Sequence, residues 1–195
     1  MNNDLRSSID NIAEITHELV VSAKGFDNMH LEDAIEASGI DVRYFVDKEF
    51  DGFLKWDKQQ QIPVIAINAT QPTTRQRFSI AHELGHLIMD WHWLPYGDND
   101  KSVFDENDIL NVTLYRGAEY SPGERREERN VNEFAAAFLM PNSLLKGLTD
   151  RILEKEISYS DALYKLKEVS NVSTLSAGYR LKNYCESHGI DVANE

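Results

Sequence analysis

The residues best suited to chemistry lie in one short run, His82-Glu83-Leu84-Gly85-His86, which is an H-E-x-x-H motif. In an α-helix, residues four positions apart are separated by about 40° around the axis, so both imidazoles project from one face. Two imidazoles on one face can hold a metal ion, and the adjacent carboxylate can move a proton. The motif therefore predicts a metal-dependent hydrolytic site on a helix.

The residues around the motif favour a buried helix over an exposed one. Buried histidines and carboxylates are costly unless they are paired or bind a metal. Gly85 lowers helix stability by roughly 1 kcal/mol relative to Ala, which indicates that another segment packs closely against it. We expect Thr73 or Thr74 to cap this helix, which should run to about Met89. The apolar residues beside the motif are Phe78, Ile80, Ala81, Leu84, Leu87 and Ile88.

A catalytic zinc site usually has three protein ligands and leaves one position for water, so the two histidines need a third partner. Glu128 is the favoured candidate. It lies near the start of a second predicted helix, 124–140, on or near the apolar face that would pack against the motif helix. Asn132 follows one turn later and could hydrogen-bond a ligating histidine, which would fix the orientation of its ring.

Two further residues compete with Glu128 as the third ligand. His92 lies ten positions after His82, the spacing of H-E-x-x-H-x-x-G-x-x-H metalloproteases. That pattern needs a Gly at the sharp turn, and this chain has Met89 there, which has no special tolerance for left-handed geometry. Asp90, four positions after His86, is a weaker candidate that is better suited to hydrogen-bond a ligand.

Glu83 is predicted to act as general base rather than as a ligand. It would accept a proton from the attacking water and pass it to the leaving amine. A hydrogen-bond donor should also stabilise the tetrahedral oxyanion. The sequence offers four candidates for that donor, and their order stays open: Tyr115, Arg116, Tyr120 and His92.

Hydrophobic periodicity and turn residues predict an α+β fold, with a small mixed or antiparallel sheet packed on the motif helix and a helical C-terminal subregion. The predicted helices are one from Ser7 or Ser8 to about residue 24, 31–38, the motif helix, 124–140, and three short ones within 143–188. Asn142 or Ser143 can cap the first of these three, and the other two have caps near Ser158 and Ser173. The predicted strands are 40–46, 52–56, 62–68 and 112–115.

The predicted domain organisation is an N-terminal helix (1–29), a metallopeptidase core (30–141) and a C-terminal helical subregion (142–195) of the same domain. Pro63 at the start of the run 62–68 favours an edge strand, which could pair with an extended peptide substrate.

Composition narrows the classes of function. The chain has 195 residues and a net charge of −13, so direct binding to nucleic acid is disfavoured. No apolar run approaches the 18 residues of a transmembrane helix, and the first residues lack the pattern of a signal peptide. Cys185 is the only cysteine, which excludes an internal disulfide and fits a reducing compartment. A cytoplasmic protein is therefore expected.

Two segments of the chain resemble a known family. The run Arg77–His86 resembles the R-F-[ST]-x-A-H-E-L-G-H segment of the ImmA/IrrE metallopeptidases. The run Glu128–Pro141 resembles their E-x-x-A-N-x-F-A-A-x-L-L-M-P segment, with Val131 in place of Ala and Phe138 in place of Leu. A weaker likeness, to V-S-x-x-A-x-x-x-R-L, covers 172–181.

The resemblance implies a zincin-like peptidase domain of the gluzincin type. It implies that His82, His86 and Glu128 bind Zn²⁺ (Mn²⁺ or Fe²⁺ being alternatives) and that Glu83 is the catalytic base. It further implies an endopeptidase that cleaves a helix-turn-helix transcriptional repressor and so relieves repression. The alternative is a metallopeptidase-like module that binds its partner without cutting it, in a phage or toxin–antitoxin regulatory pair.

Overall fold

A computed structural model of the protein describes residues 3–27, 30–48, 50–104, 109–114 and 122–191. These residues form an α+β fold, as predicted. The helices are α1 (Asn3–Val20), α2 (Leu31–Ala37), α3 (Thr73–Met89), α4 (Pro122–Leu139), α5 (Asn142–Leu153), α6 (Tyr159–Ser170) and α7 (Thr174–Ser187). The strands are β1 (Asp41–Phe45), β2 (Phe50–Asp57), β3 (Ile62–Asn68) and β4 (Ile109–Leu114). None of the helices in this described part combines the length and apolar character that a membrane crossing requires.

The four strands form one mixed sheet in the order β1-β3-β2-β4. Strand β3 runs parallel to β1 and antiparallel to β2, and β2 pairs with β4 in the antiparallel direction. The prediction that 62–68 is an edge strand is therefore wrong. Pro63 is tolerated in the interior because pairing with β1 begins only at Val64, so no β1 residue is in register with the proline. The prediction that this strand pairs with a substrate is therefore also wrong, because both of its edges are already paired.

Helix α3 lies between the sheet and α4. It packs against β2 and β3 on one side and against α4 on the other, and His82 through Leu87 are all buried. A Cβ atom placed on Gly85 would lie only 2.9 Å from Val131 Cγ1 and 2.9 Å from Phe134 Cδ1. Glycine is therefore what allows α3 and α4 to approach each other at the motif.

Helix α1 is longer at its start than the sequence suggested. It begins at Asn3, before Ser7 and Ser8, and the Ser8 hydroxyl donates a hydrogen bond back to the Asp4 carbonyl instead of capping a helix. After Val20 a 3-10 turn leads to Gly25, whose φ of 77° is the left-handed conformation that ends the segment.

Several side chains of α1 bind it to the rest of the fold. The Arg6 guanidinium donates to both oxygens of the Glu133 carboxylate, at 2.7 and 3.1 Å. The His17 Nδ1 lies 2.7 Å from the Phe138 carbonyl oxygen. Burial lowers the pKa of His17 although its bond to that carbonyl acts in the opposite direction, so neutral imidazole is favoured as the donor.

Glu14 of α1 supplies another of these contacts and caps a second helix. Its carboxylate oxygens accept hydrogen bonds from the backbone N–H groups of Asn142 and Ser143, at 2.8 and 3.0 Å. The expected cap of α5 by the side chain of Asn142 or Ser143 is therefore wrong, and α3 likewise starts after Pro72 without a side-chain cap. A carboxylate at a helix N-terminus satisfies free N–H groups and interacts favourably with the helix dipole.

The predicted caps of the two last helices are confirmed. Ser158 and Asp161 form a reciprocal capping box at α6, and the Ser173 side chain accepts from the Ser176 N–H at α7. The buried Arg180 of α7 donates to the Met140 carbonyl, and its two terminal nitrogens bond Asp10 and Asn142. These bonds join α7 to α1 and to the α4–α5 junction, while the boundaries 1–29, 30–141 and 142–195 stay a prediction.

Replacing Gly85 tests the close approach of α3 and α4. In an open helix, Gly→Ala stabilises by roughly 1 kcal/mol. We expect Gly85→Ala instead to lower the free energy of unfolding by about 1–3 kcal/mol, because the new methyl group meets Val131 and Phe134. The matched control is Gly147→Ala in α5, where a Cβ meets nothing within 4 Å. Urea unfolding of both variants measures the difference, and equal stabilisation of the two would contradict this packing.

Replacing Glu14 tests the contact between α1 and α5. Glu14→Ala is expected to lower the free energy of unfolding by about 1 kcal/mol, since two N–H groups at the start of α5 lose their acceptor. Glu18→Ala, one turn later and exposed, is the matched control and should have little effect. Thermal or urea unfolding distinguishes them, and the cap is refuted if the two variants are equally stable.

Candidate metal centre

The two histidines of the motif lie next to each other on the face of α3 that faces α4. His82 and His86 are only 2% and 4% exposed. Their Nε2 atoms lie 3.2 Å apart, and their rings cross edge-to-face with centroids 4.9 Å apart. The helical spacing therefore brings two nitrogen lone pairs to one point, as the motif predicts.

The Glu128 carboxylate of α4 completes this cluster. Its Oε2 lies 3.3 Å from His82 Nε2, and its Oε1 lies 3.3 Å from His86 Nε2. Ligands at about 2.0–2.1 Å from a tetrahedral ion are about 3.3–3.4 Å from one another, so these separations fit a divalent metal ion. Within the described ranges, His82, His86 and Glu128 form the cluster in which histidine and acidic donor atoms lie close enough together to share one metal ion.

The other nitrogen of each imidazole is held by an oxygen acceptor. His86 Nδ1 lies 2.6 Å from Asp90 Oδ2, and His82 Nδ1 lies 3.2 Å from Asn132 Oδ1. Each acceptor favours the tautomer with its proton on Nδ1, which leaves the Nε2 lone pair for a metal. Asp90 and Asn132 thus occupy the orienting positions that the sequence suggested for them.

The charges in the cluster are strongly coupled. Burial opposes charge on the His86 ring, but hydrogen bonds to Asp90 and Glu128 prevail and raise its pKa to about 9. Burial also favours the neutral acid of Glu128, but hydrogen bonds from His82 and His86 outweigh it and lower its pKa to about 2. The carboxylate therefore stays ionised at neutral pH and attracts a positive charge to this point.

Glu83, the candidate base, is fully buried and lies against the sheet. Its Oε1 is 3.3 Å from the position that a Cβ on Gly52 of β2 would occupy. Next to this glycine, Asp51 is buried and paired with the Arg75 guanidinium of α3. Sequence reasoning did not assign a role to Gly52, although a glycine inside a strand is a recognised sign of close approach by another group.

The remaining sequence candidates lie elsewhere. His92 is exposed, has a φ of 55° and follows the end of α3, and within the described residues it is not part of the convergent cluster. The chain thus turns into left-handed geometry at residue 92, three positions after Met89. Tyr115, Arg116 and Tyr120, three of the candidates for stabilising an oxyanion, lie outside the residues that the structure describes.

Comparison with known proteins gives two matches. Residues 35–93 match the family described as the IrrE N-terminal-like domain, a peptidase family. This range contains the H-E-x-x-H motif and ends before Glu128. The chain is also 35% identical over 128 residues to the radiation response metalloprotease IrrE of Deinococcus radiodurans. That alignment covers 58% of this chain and 34% of the relative, so the chain spans about a third of the protein that it matches.

Both matches agree with the geometry of the cluster. They identify the chain as related to metallopeptidases, and the His82–His86–Glu128 cluster supplies donors suited to a divalent metal. The resemblance to the ImmA/IrrE metallopeptidase family is therefore confirmed, and it is carried by residues 35–93, which are similar to the IrrE N-terminal-like domain.

Proposed function

We propose that this protein is a zinc-dependent endopeptidase whose substrate is a DNA-binding repressor. One observation carries the proposal: the Glu128 carboxylate lies 3.3 Å from the Nε2 atoms of both motif histidines, although it comes from a different helix. Two imidazoles and one carboxylate are the ligand set of several zinc peptidases, and this set leaves a coordination position open. A structural zinc site would instead use four ligands, commonly cysteines, and this chain has one cysteine.

In this proposal His82, His86 and Glu128 hold the cation. The cation supplies Lewis acidity, which polarises the scissile carbonyl and makes water more acidic. Asp90 and Asn132 keep the two imidazoles in the tautomer and orientation that binding requires. Mn²⁺ and Fe²⁺ also accept two nitrogens and a carboxylate, and zinc is preferred for the hydrolytic chemistry.

Glu83 is the proton carrier of the reaction. It adjoins His82 in the motif helix, and its charge contributes to the raised pKa of His86, so its carboxylate is within electrostatic reach of the cluster. Packing against Gly52 restricts its position. We assign to Glu83 the removal of a proton from the attacking water and the delivery of that proton to the departing amine.

The substrate class follows from the family resemblance and from charge. A peptidase acts on a polypeptide, and members of the ImmA/IrrE family characteristically cleave helix-turn-helix repressors. A net charge of −13 suits a basic protein partner better than the nucleic acid that such a partner binds. We place this reaction in the cytoplasm, where DNA-binding repressors act.

Metal binding is the first property to measure. We expect about one zinc per chain by elemental analysis of purified protein and none retained by His82→Ala. Asn132→Ala should weaken zinc binding by about 10- to 100-fold, because His82 loses its orienting acceptor. Binding should also be weaker at pH 6 than at pH 8, since protons and the metal compete for the imidazole nitrogens.

The control for Asn132 is Asn130→Ala, on the same helix but two positions away and hence on a different face. It should bind zinc as the unmodified protein does. Equal affinity of the two asparagine variants would exclude the orienting role of Asn132. Zinc retained at full stoichiometry by His82→Ala would exclude the proposed ligand set.

Cleavage is the second property. The zinc-loaded protein, incubated with candidate helix-turn-helix repressors, should produce fragments that are detected by mass spectrometry. Glu83→Gln preserves the shape of the side chain but cannot accept the proton, so we expect a rate about 10²- to 10⁴-fold lower. Fragments formed equally fast by Glu83→Gln would remove this residue from the mechanism.

The same experiment separates the enzyme from the non-cleaving module. A module that only binds its partner would form a stable complex with the repressor in both the unmodified protein and Glu83→Gln, and neither would yield fragments. Analytical size-exclusion chromatography of each mixture detects the complex. Such a result would contradict the proposed hydrolysis while leaving metal binding intact.

A further inference from the structure

A groove with a volume of about 530 Å³ lies between α3, α4 and the start of α7. Its size is within the 300–1,000 Å³ range that is usual for ligand pockets. Its apolar lining comes from three helices: Phe78 on α3, Ala136 on α4, and Leu175 and Tyr179 on α7. The last two are 60% and 63% exposed, although both are large and hydrophobic.

One residue that lines this groove also contacts the candidate metal centre. Asn132 lines the groove and also accepts from His82 Nδ1, at 3.2 Å. Phe78 precedes His82 by four positions, and Ala136 follows Asn132 by four, so both lie one helical turn further along the same two faces. A substrate chain that extends from the metal centre along these two helices would therefore reach the groove.

The charged residues that line the groove already have partners in the protein. Arg75 is paired with Asp51, and the Glu133 carboxylate accepts hydrogen bonds from Nε and Nη2 of Arg6. Arg180 bonds Asp10 and Asn142 as well as a backbone carbonyl. With those charges neutralised by neighbours, the surface left to a ligand is mostly apolar, which favours an uncharged hydrophobic occupant.

We propose that α7 forms one wall of the substrate-binding groove, and that Leu175 and Tyr179 select a large apolar side chain close to the scissile bond. This inference rests on the proposed peptidase function. Leu175 and Tyr179 lie four positions apart, so they present one continuous surface toward the groove. Because the two residues are exposed, their truncation removes contacts with the substrate and leaves the core unchanged.

The test compares two double variants with the same chemical change. Leu175→Ala/Tyr179→Ala alters the groove. Leu153→Ala/Tyr164→Ala is the matched control, because Leu153 and Tyr164 are 59% and 63% exposed and do not line it. Each zinc-loaded protein is incubated with a library of peptides made by trypsin from a bacterial proteome, and the cut sites are read by mass spectrometry.

Unmodified protein and the control variant should cut beside Leu, Phe or Met at one fixed position. The groove variant should lose this preference, with kcat/KM for such peptides about tenfold lower and the loss mainly in KM. Cut sites without an apolar preference, or equal losses in the two double variants, would overturn the inference.

Binding measured without cleavage separates this inference from the proposed function. The probes are two fluorescein-labelled decapeptides that are identical except for two central residues, Leu-Leu in one and Asp-Asp in the other. Glu83→Gln protein should bind the Leu-Leu peptide more tightly, and adding Leu175→Ala/Tyr179→Ala should weaken that binding about tenfold. If this binding pattern is observed but unmodified protein cleaves nothing, the result would contradict the proposed peptidase function and support the groove as a binding site for apolar side chains. Equal binding of both peptides would overturn the groove whatever the cleavage result.

Discussion

The contact between α3 and α4 at Gly85 is the constraint on which the candidate site depends. The histidines belong to one helix and the carboxylate to the other, so the distances among them are set by how closely the helix axes approach. The absence of a side chain at Gly85, between the two histidines in sequence, lets Val131 and Phe134 lie against the α3 backbone. From there Glu128, three positions before Val131, reaches both imidazoles. A packing requirement of the core thus sets the geometry of the polar site.

The site concentrates ionisable groups in a place that water barely reaches. Both histidines and Glu83 are buried, and Glu128 is largely covered. Desolvation of such groups costs several kcal/mol each unless the charges compensate one another. Here each imidazole lies between two oxygen acceptors, one from Glu128 and one from either Asp90 or Asn132. A divalent cation at the meeting point of the three donors would satisfy the same requirement more completely.

The sequence predicts the parts of this site that depend on short-range spacing. The two histidines, the helix 73–89 and the capping serines at 158 and 173 all follow from patterns within a few residues. Glu128 needed the family resemblance, because helical phase alone does not distinguish it from its charged neighbours. The predicted edge position of strand β3 is wrong because Pro63 suits an edge strand, whereas the unbroken apolar run Val64–Ile67 is typical of an interior strand. The predicted cap of α5 is wrong because the acceptor at its N-terminus is Glu14, which lies 128 residues before Asn142 and is in no local sequence pattern.

That long-range cap has a consequence for how the chain reaches its native state. Helix α1 is synthesised before α4 and α5, and the groups that it contacts on them follow more than a hundred residues later. Until they emerge from the ribosome, the apolar side of α1, with Ile9, Ala13 and Val20, has none of its final neighbours on α4. Contacts of such large sequence separation slow folding, because a long loop must close before they can form. The nascent protein therefore passes through a stage in which the apolar face of an amphipathic helix is exposed to water, and exposed apolar surface of this kind favours aggregation.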